Sequence, residues 1–313
     1  MFAYIARRIV STIPVVLLVA LFVFSLLYIA PGDPAAIIAG DQATSADVDR
    51  IRASLGLDRP FLVRFFDWFW HILQGDLGTS IFTNLPVTHM IAQRIEPTLS
   101  LMTLTLILSL TLAIPMGVVA AWKHGTWIDR TVMMVAVLGF STPVFVIGYV
   151  LGYILALRLD WLPVQGFTSI TEGLIPFLRN LILPSVALGL IYMALIARIT
   201  RATMLDVLSQ DYIRTAIAKG VGQRGMLFVH ALKNAAVPIV TIVGIGFAAL
   251  IGGAVVTESV FAIPGLGRLT VDAILRRDYP VIQGVVLLFS FFYVLVNLGV
   301  DLLYTLFDPR IRY

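Results

Sequence analysis

Histidine, lysine and carboxylate side chains hold most of the chemistry open to this chain, and their spacing closes much of it. The four histidines, His71, His89, His124 and His230, form no His-Glu-x-x-His pair and no cluster at metal-ligand spacing, which argues against a metalloprotease. The three lysines follow Trp122, Ala218 and Leu232, so the Gly-Lys-Ser/Thr of a phosphate-binding loop never occurs. If ATP drives this protein, another chain hydrolyses it. The absence of cysteine excludes disulfides and thiolate metal sites and is compatible with a bacterial inner membrane. Asp301 is the one ionisable residue expected inside an apolar span. A carboxylate there is costly unless paired or hydrated, which makes it a candidate intramembrane polar site. Its place about two turns before Asp308-Pro309-Arg310 also lets it reach interfacial water or an arginine.

The polar, basic interruption at 211–238 is the most informative stretch. Asp211 can cap a short helix, Tyr212 to Lys219 can form about two turns, and Gly220 suits the left-handed residue that ends it. Ile213, Ala216 and Ile217 fall on one face at i, i+3, i+4, flanked by Arg214 and Lys219. Such a knob reads as a docking surface for a partner, or as an ordinary amphipathic helix on a membrane surface.

The elements that position these residues belong to a membrane protein. With 59% hydrophobic and 13% charged residues and a mean hydropathy of +0.95, the composition lies outside the range of soluble domains. Six apolar runs can cross roughly 30 Å of hydrocarbon at about 1.5 Å per residue. They lie at 9–29, 99–121, 132–157, 181–197, 237–256 and 281–303, the fourth being the shortest. With both termini inside, the inner segments hold twelve of the 22 basic residues but only four of the 18 acidic ones, and all three lysines. That asymmetry follows the positive-inside rule and predicts cytoplasmic termini. The pI of 9.5 therefore reflects topology and contact with membrane lipid, and no nucleic-acid partner is expected.

Arg7 and Arg8 precede the first run as in a secretory signal, but about 21 apolar residues exceed a signal core and Pro31-Gly32-Asp33-Pro34 ends the helix. An uncleaved transmembrane helix is expected. The chain divides into an N-terminal segment with the first span (1–30), an outer segment with short interfacial helices (31–98) and a five-helix core (99–313) carrying the polar loop 199–236. In the outer segment Ser45 caps a helix stopped by Gly56, and Pro60 opens an aromatic one ended by Gly75, expected in the headgroup layer. That aromatic helix either braces the bundle or meets an external delivery protein. Pro115, Pro143 and Pro184 should kink or break their spans, and the pairs Gly148/Gly152 and Ala248/Gly252 allow close helix contact.

The ordered blocks Pro31-Gly32-Asp33-Pro34, Leu55-Gly56-Leu57-Asp58-Arg59-Pro60, Gly75-Asp76-Leu77-Gly78-Thr79-Ser80, Asp211-Tyr212-Ile213-Arg214-Thr215-Ala216, Lys219-Gly220, His230-Ala231-Leu232-Lys233-Asn234, Pro264-Gly265-Leu266-Gly267-Arg268 and Arg277-Asp278-Tyr279-Pro280 carry a resemblance over nearly the whole length. The chain resembles the B-type permease subunit of bacterial ATP-binding-cassette importers of the dipeptide, oligopeptide, glutathione and nickel group. The resemblance implies an all-α, six-helix permease of the type I importer kind. It also implies that Asp211, Tyr212, Arg214, Thr215, Ala216, Lys219 and Gly220 form the helix that couples to an ATPase, and that Pro264, Gly265, Gly267 and Arg268 lie at an outer gate. The Glu-Ala of the general signature is Arg214-Thr215 here, Ile217 stands where the subgroup often has a basic residue, and Ile263 replaces a common tryptophan. Implied partners are a second homologous permease, two ATPases that hold the ATP and Mg, and a periplasmic solute-binding protein. The chain itself is expected to have no cofactor and no catalytic activity. The implied cargo is peptide, with nickel chelates, glutathione, opines or sugar-like solutes as alternatives. A secondary transporter would need coupling-ion ligands and internal repeats, and an intramembrane enzyme convergent catalytic side chains; neither set is evident.

Overall fold

The computed structural model describes residues 2–29, 34–39, 44–54 and 57–307, whose regular elements are helices, with no strand beyond an isolated bridge between Thr79 and Pro86. The elements are α1 (Phe2–Ile29), α2 (Pro34–Ala39), α3 (Ser45–Ser54), α4 (Phe61–Leu73), α5 (Val87–Ala92), α6 (Ile95–Trp122), α7 (Trp127–Ser141), α8 (Val144–Leu151, continued as a π-helix to Arg158), α9 (Leu174–Leu208), α10 (Asp211–Ala218), α11 (Gln223–Gly225), α12 (Leu232–Val260), α13 (Leu266–Arg276) and α14 (Tyr279–Phe307). Among the described residues five helical stretches are long and apolar enough to cross a bilayer, and counting the bent pair α7 and α8 as one span makes six.

The expected third span is not one helix. It breaks between Ser141 and Val144 with a bend of 106°, because Pro143 removes a backbone donor and disfavours helical geometry in Thr142, which is extended. Pro115 and Pro184, by contrast, lie inside helices that run on past them. The fourth span, expected to be the shortest, belongs to the longest helix, with 35 residues. Hydropathy marks the apolar slab, whereas backbone hydrogen bonding carries α9 beyond it through Arg198, Arg201 and Asp206. Ser45 and Pro60 are each displaced by one position from the expectation: Ser45 is already helical, and Pro60 precedes α4 with extended ψ. Pro31, Gly32, Asp33, Gly56, Asp308, Pro309 and Arg310 lie outside the described residues.

The core is α9 packed along α6, with α12 and α7 against it. The α6–α9 seam is tight at Gly117, where a Cβ would come within 2.7 Å of the Ala197 carbonyl oxygen. Gly148 likewise packs against Val260 and Phe261, whereas a Cβ on buried Gly152 would meet nothing within 4 Å, Gly252 faces open space and Ala248 is exposed. Within this chain the pair Ala248/Gly252 therefore makes no close helix contact. The helix α4 acts as a brace: buried Phe65 and half-buried Phe61 and Trp68 surround Phe24 of α1 with ring centroids 5.2–5.6 Å apart.

Candidate functional site

The knob between α9 and α12 is built as a capped two-turn helix. Gln210, with an extended ψ of 148°, is the residue before α10, and it makes no side-chain cap. Asp211 is thus the first helical residue rather than the cap, where its charge still complements the helix dipole and lies 3.5 Å from Arg214. Both partners are exposed, so the pair contributes little. At the other end Gly220 has φ +81°, its N–H donates to Ile217 O at 2.9 Å, and the Val221 N–H donates to Ala216 O at 3.1 Å. Two such bonds around a left-handed glycine close the helix and hold the following chain at a fixed angle.

The knob has an inner and an outer face. Ile213 is buried among Met204, Met226, Leu227 and Ala231, and Ala216 is half-buried beside it. Ile217, expected on that same face, is 55% exposed, because only one side of two turns fits the cluster. Tyr212, Arg214, Thr215 and Lys219 also face outward. Partial burial raises the Tyr212 phenol above its ordinary pKa. The exposed surface is therefore a mix of aliphatic, aromatic and basic groups on a helix closed at Gly220 and anchored by buried Ile213.

From this knob α11 and a π-turn (Met226–Ala231) lead into α12, and the stretch Gln223–Val260 forms one candidate span. At its far end Glu258 is fully buried. Its Oε1 accepts from Thr98 Oγ1 of α6 at 2.6 Å, and its Oε2 accepts from the Arg268 N–H of α13 at 3.0 Å, with the Gly267 N–H also donating to the carboxylate. Thr98 Oγ1 in turn accepts from the Leu266 N–H at 2.7 Å. The backbone partners are donors, and the Thr98 hydroxyl can donate to or accept from the carboxyl group. A Cβ on Gly265 would run into this carboxylate, and one on Gly267 would lie 2.5 Å from Val255 Cα. The Pro264-to-Arg268 block thus wraps a buried carboxyl group at the first turn of α13. Nearby, Ser80 Oγ and the Ile81 N–H both donate to Asp278, clasping the 75–86 loop to the start of α14.

Comparison with known proteins decides what this arrangement belongs to. The family model described as "binding-protein-dependent transport system inner membrane component" matches residues 113–313, and the model of its N-terminal part matches residues 1–102. The chain belongs to this family. It is 56% identical over 310 residues, 99% of each chain, to a probable peptide ABC transporter permease protein of Sinorhizobium fredii. It is 45% identical to a putative peptide transport system permease protein of Brucella abortus, and 44% identical to a glutathione transport system permease protein of Salmonella typhimurium, with full coverage of both chains in each case. The fold matches a solved structure of the MetNI methionine ABC transporter, in an inward-facing conformation, with TM-score 0.58 at 17% identity, over 70% of this chain and 96% of that one. The protein is therefore a multi-pass transport permease of the inner membrane, all-α and of the type I importer fold.

Within this permease, Asp301 is not a free intramembrane site. Arg8 Nε donates to its carboxylate, pinning the start of α1 to the last turns of α14. This partner comes from the opposite end of the sequence. Asp129, at the start of α7, is buried and receives two bonds from Arg201 of α9, one of them at 2.7 Å, with His124 Nδ1 3.3 Å away. Neither Glu258 nor the Asp129–Arg201 pair was legible as a site in the sequence. Glu258 lies two residues past the expected end of its span, and the signal that could have flagged it is an acidic residue closing an apolar run just before a Gly-rich block.

Proposed function

We propose that this permease imports peptides by alternating access, driven by two partner ATPases whose surfaces seat the exposed face of α10. The carrying observation is identity of 45–56% over the whole length to proteins named as peptide permeases. The structure supports the coupling role physically. A helix fixed by its cap at Gly220 and by Ile213 in the core cannot swivel when pushed, so a partner's movement passes into α9 and α12. At the other end of α12 the Glu258 clamp ties that helix to α6 and α13, which makes the Pro264, Gly265, Gly267 and Arg268 block a gate element moved by α12. In this reading both termini are cytoplasmic, a second homologous permease completes the pathway, a periplasmic binding protein delivers the peptide, and ATP and Mg are held by the ATPases alone.

A reconstituted complex of both permeases, the ATPases and the binding protein tests this. It should take up di- or oligopeptides with ATP hydrolysis, whereas this chain alone should show no hydrolysis above background. Robust hydrolysis by the isolated chain, or uptake that ignores peptide, refutes the proposal. Glutathione is the second cargo, on the strength of the 44% identical relative. Preferential binding of glutathione by the solute-binding protein would favour it.

A further inference from the structure

A cavity of about 530 Å³ opens at the α13 end of the bundle, outside the α6, α9 and α12 core, between α1, α4, the 79–84 loop and the start of α14. Its walls are mainly apolar, with Phe24 and Leu27 from α1, Trp68 from α4 and Pro280 from α14. Three charged groups line it. Arg59 lies 3.6 Å from Asp67, so these two largely cancel. Arg64 donates to Tyr28 Oη and lies 5.2 Å from the centroid of that ring, but among the described residues it meets no carboxylate. The site therefore combines an apolar slot with one guanidinium that has no carboxylate partner among the described residues. The same helix exposes Leu62, Phe66 and Trp70, each more than 60% accessible, the composition that settles at headgroup depth.

We propose that this cavity binds an anionic phospholipid, with the phosphodiester on Arg64 and the first part of one acyl chain along Phe24, Leu27 and Trp68. Guanidinium and phosphate form strong charge-assisted hydrogen bonds, and a headgroup of net charge −1 matches Arg64, which has no carboxylate partner among the described residues. The volume is in the range that holds a drug-sized ligand, roughly 300–1,000 Å³, so a two-chain lipid leaves its second chain in the bilayer. The apolar wall selects a lipid over a free phosphate ester.

The test uses the full chain, purified and stripped of lipid, then titrated with phosphatidylglycerol and read by native mass spectrometry. A photoactivatable phosphatidylglycerol is cross-linked in parallel. Binding of phosphatidylglycerol over phosphatidylethanolamine, no competition by glycerol phosphate, and cross-links mapping to 57–68 and 279–283 are expected. Arg64→Gln should weaken the affinity about tenfold, the effect of losing a charge-assisted contact. Equal binding of phosphatidylethanolamine, displacement by glycerol phosphate, cross-links confined to other surfaces, or unchanged affinity in Arg64→Gln overturns the proposal. If Arg64→Gln fails to fold, the cross-link map and headgroup competition on the unaltered chain decide the matter alone.

Discussion

Removing the Glu258 carboxylate should loosen the α13 end of the bundle while leaving the apolar spans intact. In Glu258→Ala the backbone donors of Gly267 and Arg268 and the Thr98 hydroxyl lose their acceptor, and a side-chain-sized void opens beneath Gly265. A buried donor without a partner costs about 1–3 kcal/mol. Thr98 recovers part of this by turning toward the Arg94 carbonyl, 3.4 Å away, so the net loss is about 2–5 kcal/mol. Glu258→Gln keeps the shape: its carbonyl oxygen can face the two N–H groups while its amide faces Thr98 Oγ1, at a cost of about 1 kcal/mol. Gly265→Ala should resemble Glu258→Ala, because the added Cβ displaces the carboxylate. Thermal unfolding in detergent ranks the variants, and peptide uptake in the assembled transporter shows whether the clamp matters for transport. If Glu258→Ala unfolds with wild type, or Glu258→Gln falls as far as Glu258→Ala, the clamp as described is wrong.

Gly220→Val should cost about 1–2 kcal/mol, because φ +81° is strained for a side chain even though the space around it is open, and ATPase retention and uptake should both fall. Gly222→Ala, two residues on with an ordinary φ of −63° and equally open space, should behave as wild type in the same assays. Asp129→Asn should lower stability by about 3–5 kcal/mol by leaving Arg201 unpaired, and the double variant with Arg201→Gln should lose less than the two single losses together, read by thermal unfolding. For topology, a cysteine at exposed Thr44 should react with an impermeant thiol reagent added outside intact cells and one at exposed Gln223 should not, and the reverse pattern would overturn the orientation.

The membrane class, five of the six spans and the capped knob at Asp211 to Gly220 were legible in the sequence because each rests on local physics. Apolar runs must leave water whatever their neighbours, and a glycine that closes a helix acts through its own φ. The ordered sequence blocks likewise carried the family assignment. Chain order hides which blocks meet. Asp301 is answered by Arg8, Asp278 by Ser80, and Glu258 by Thr98 and the Gly267–Arg268 backbone, at separations of up to 293 residues. A buried carboxylate is tolerable only where several donors converge, and that convergence depends on how α6, α12, α13 and α14 pack, a property no single segment carries. The break at Pro143 was legible from the proline itself, whereas the helices that run on through Pro115 and Pro184 and the length of α9 show the same limit from the other side. Hydropathy registers how apolar a stretch is, while hydrogen bonding and packing decide where a helix bends and how far it runs past the slab.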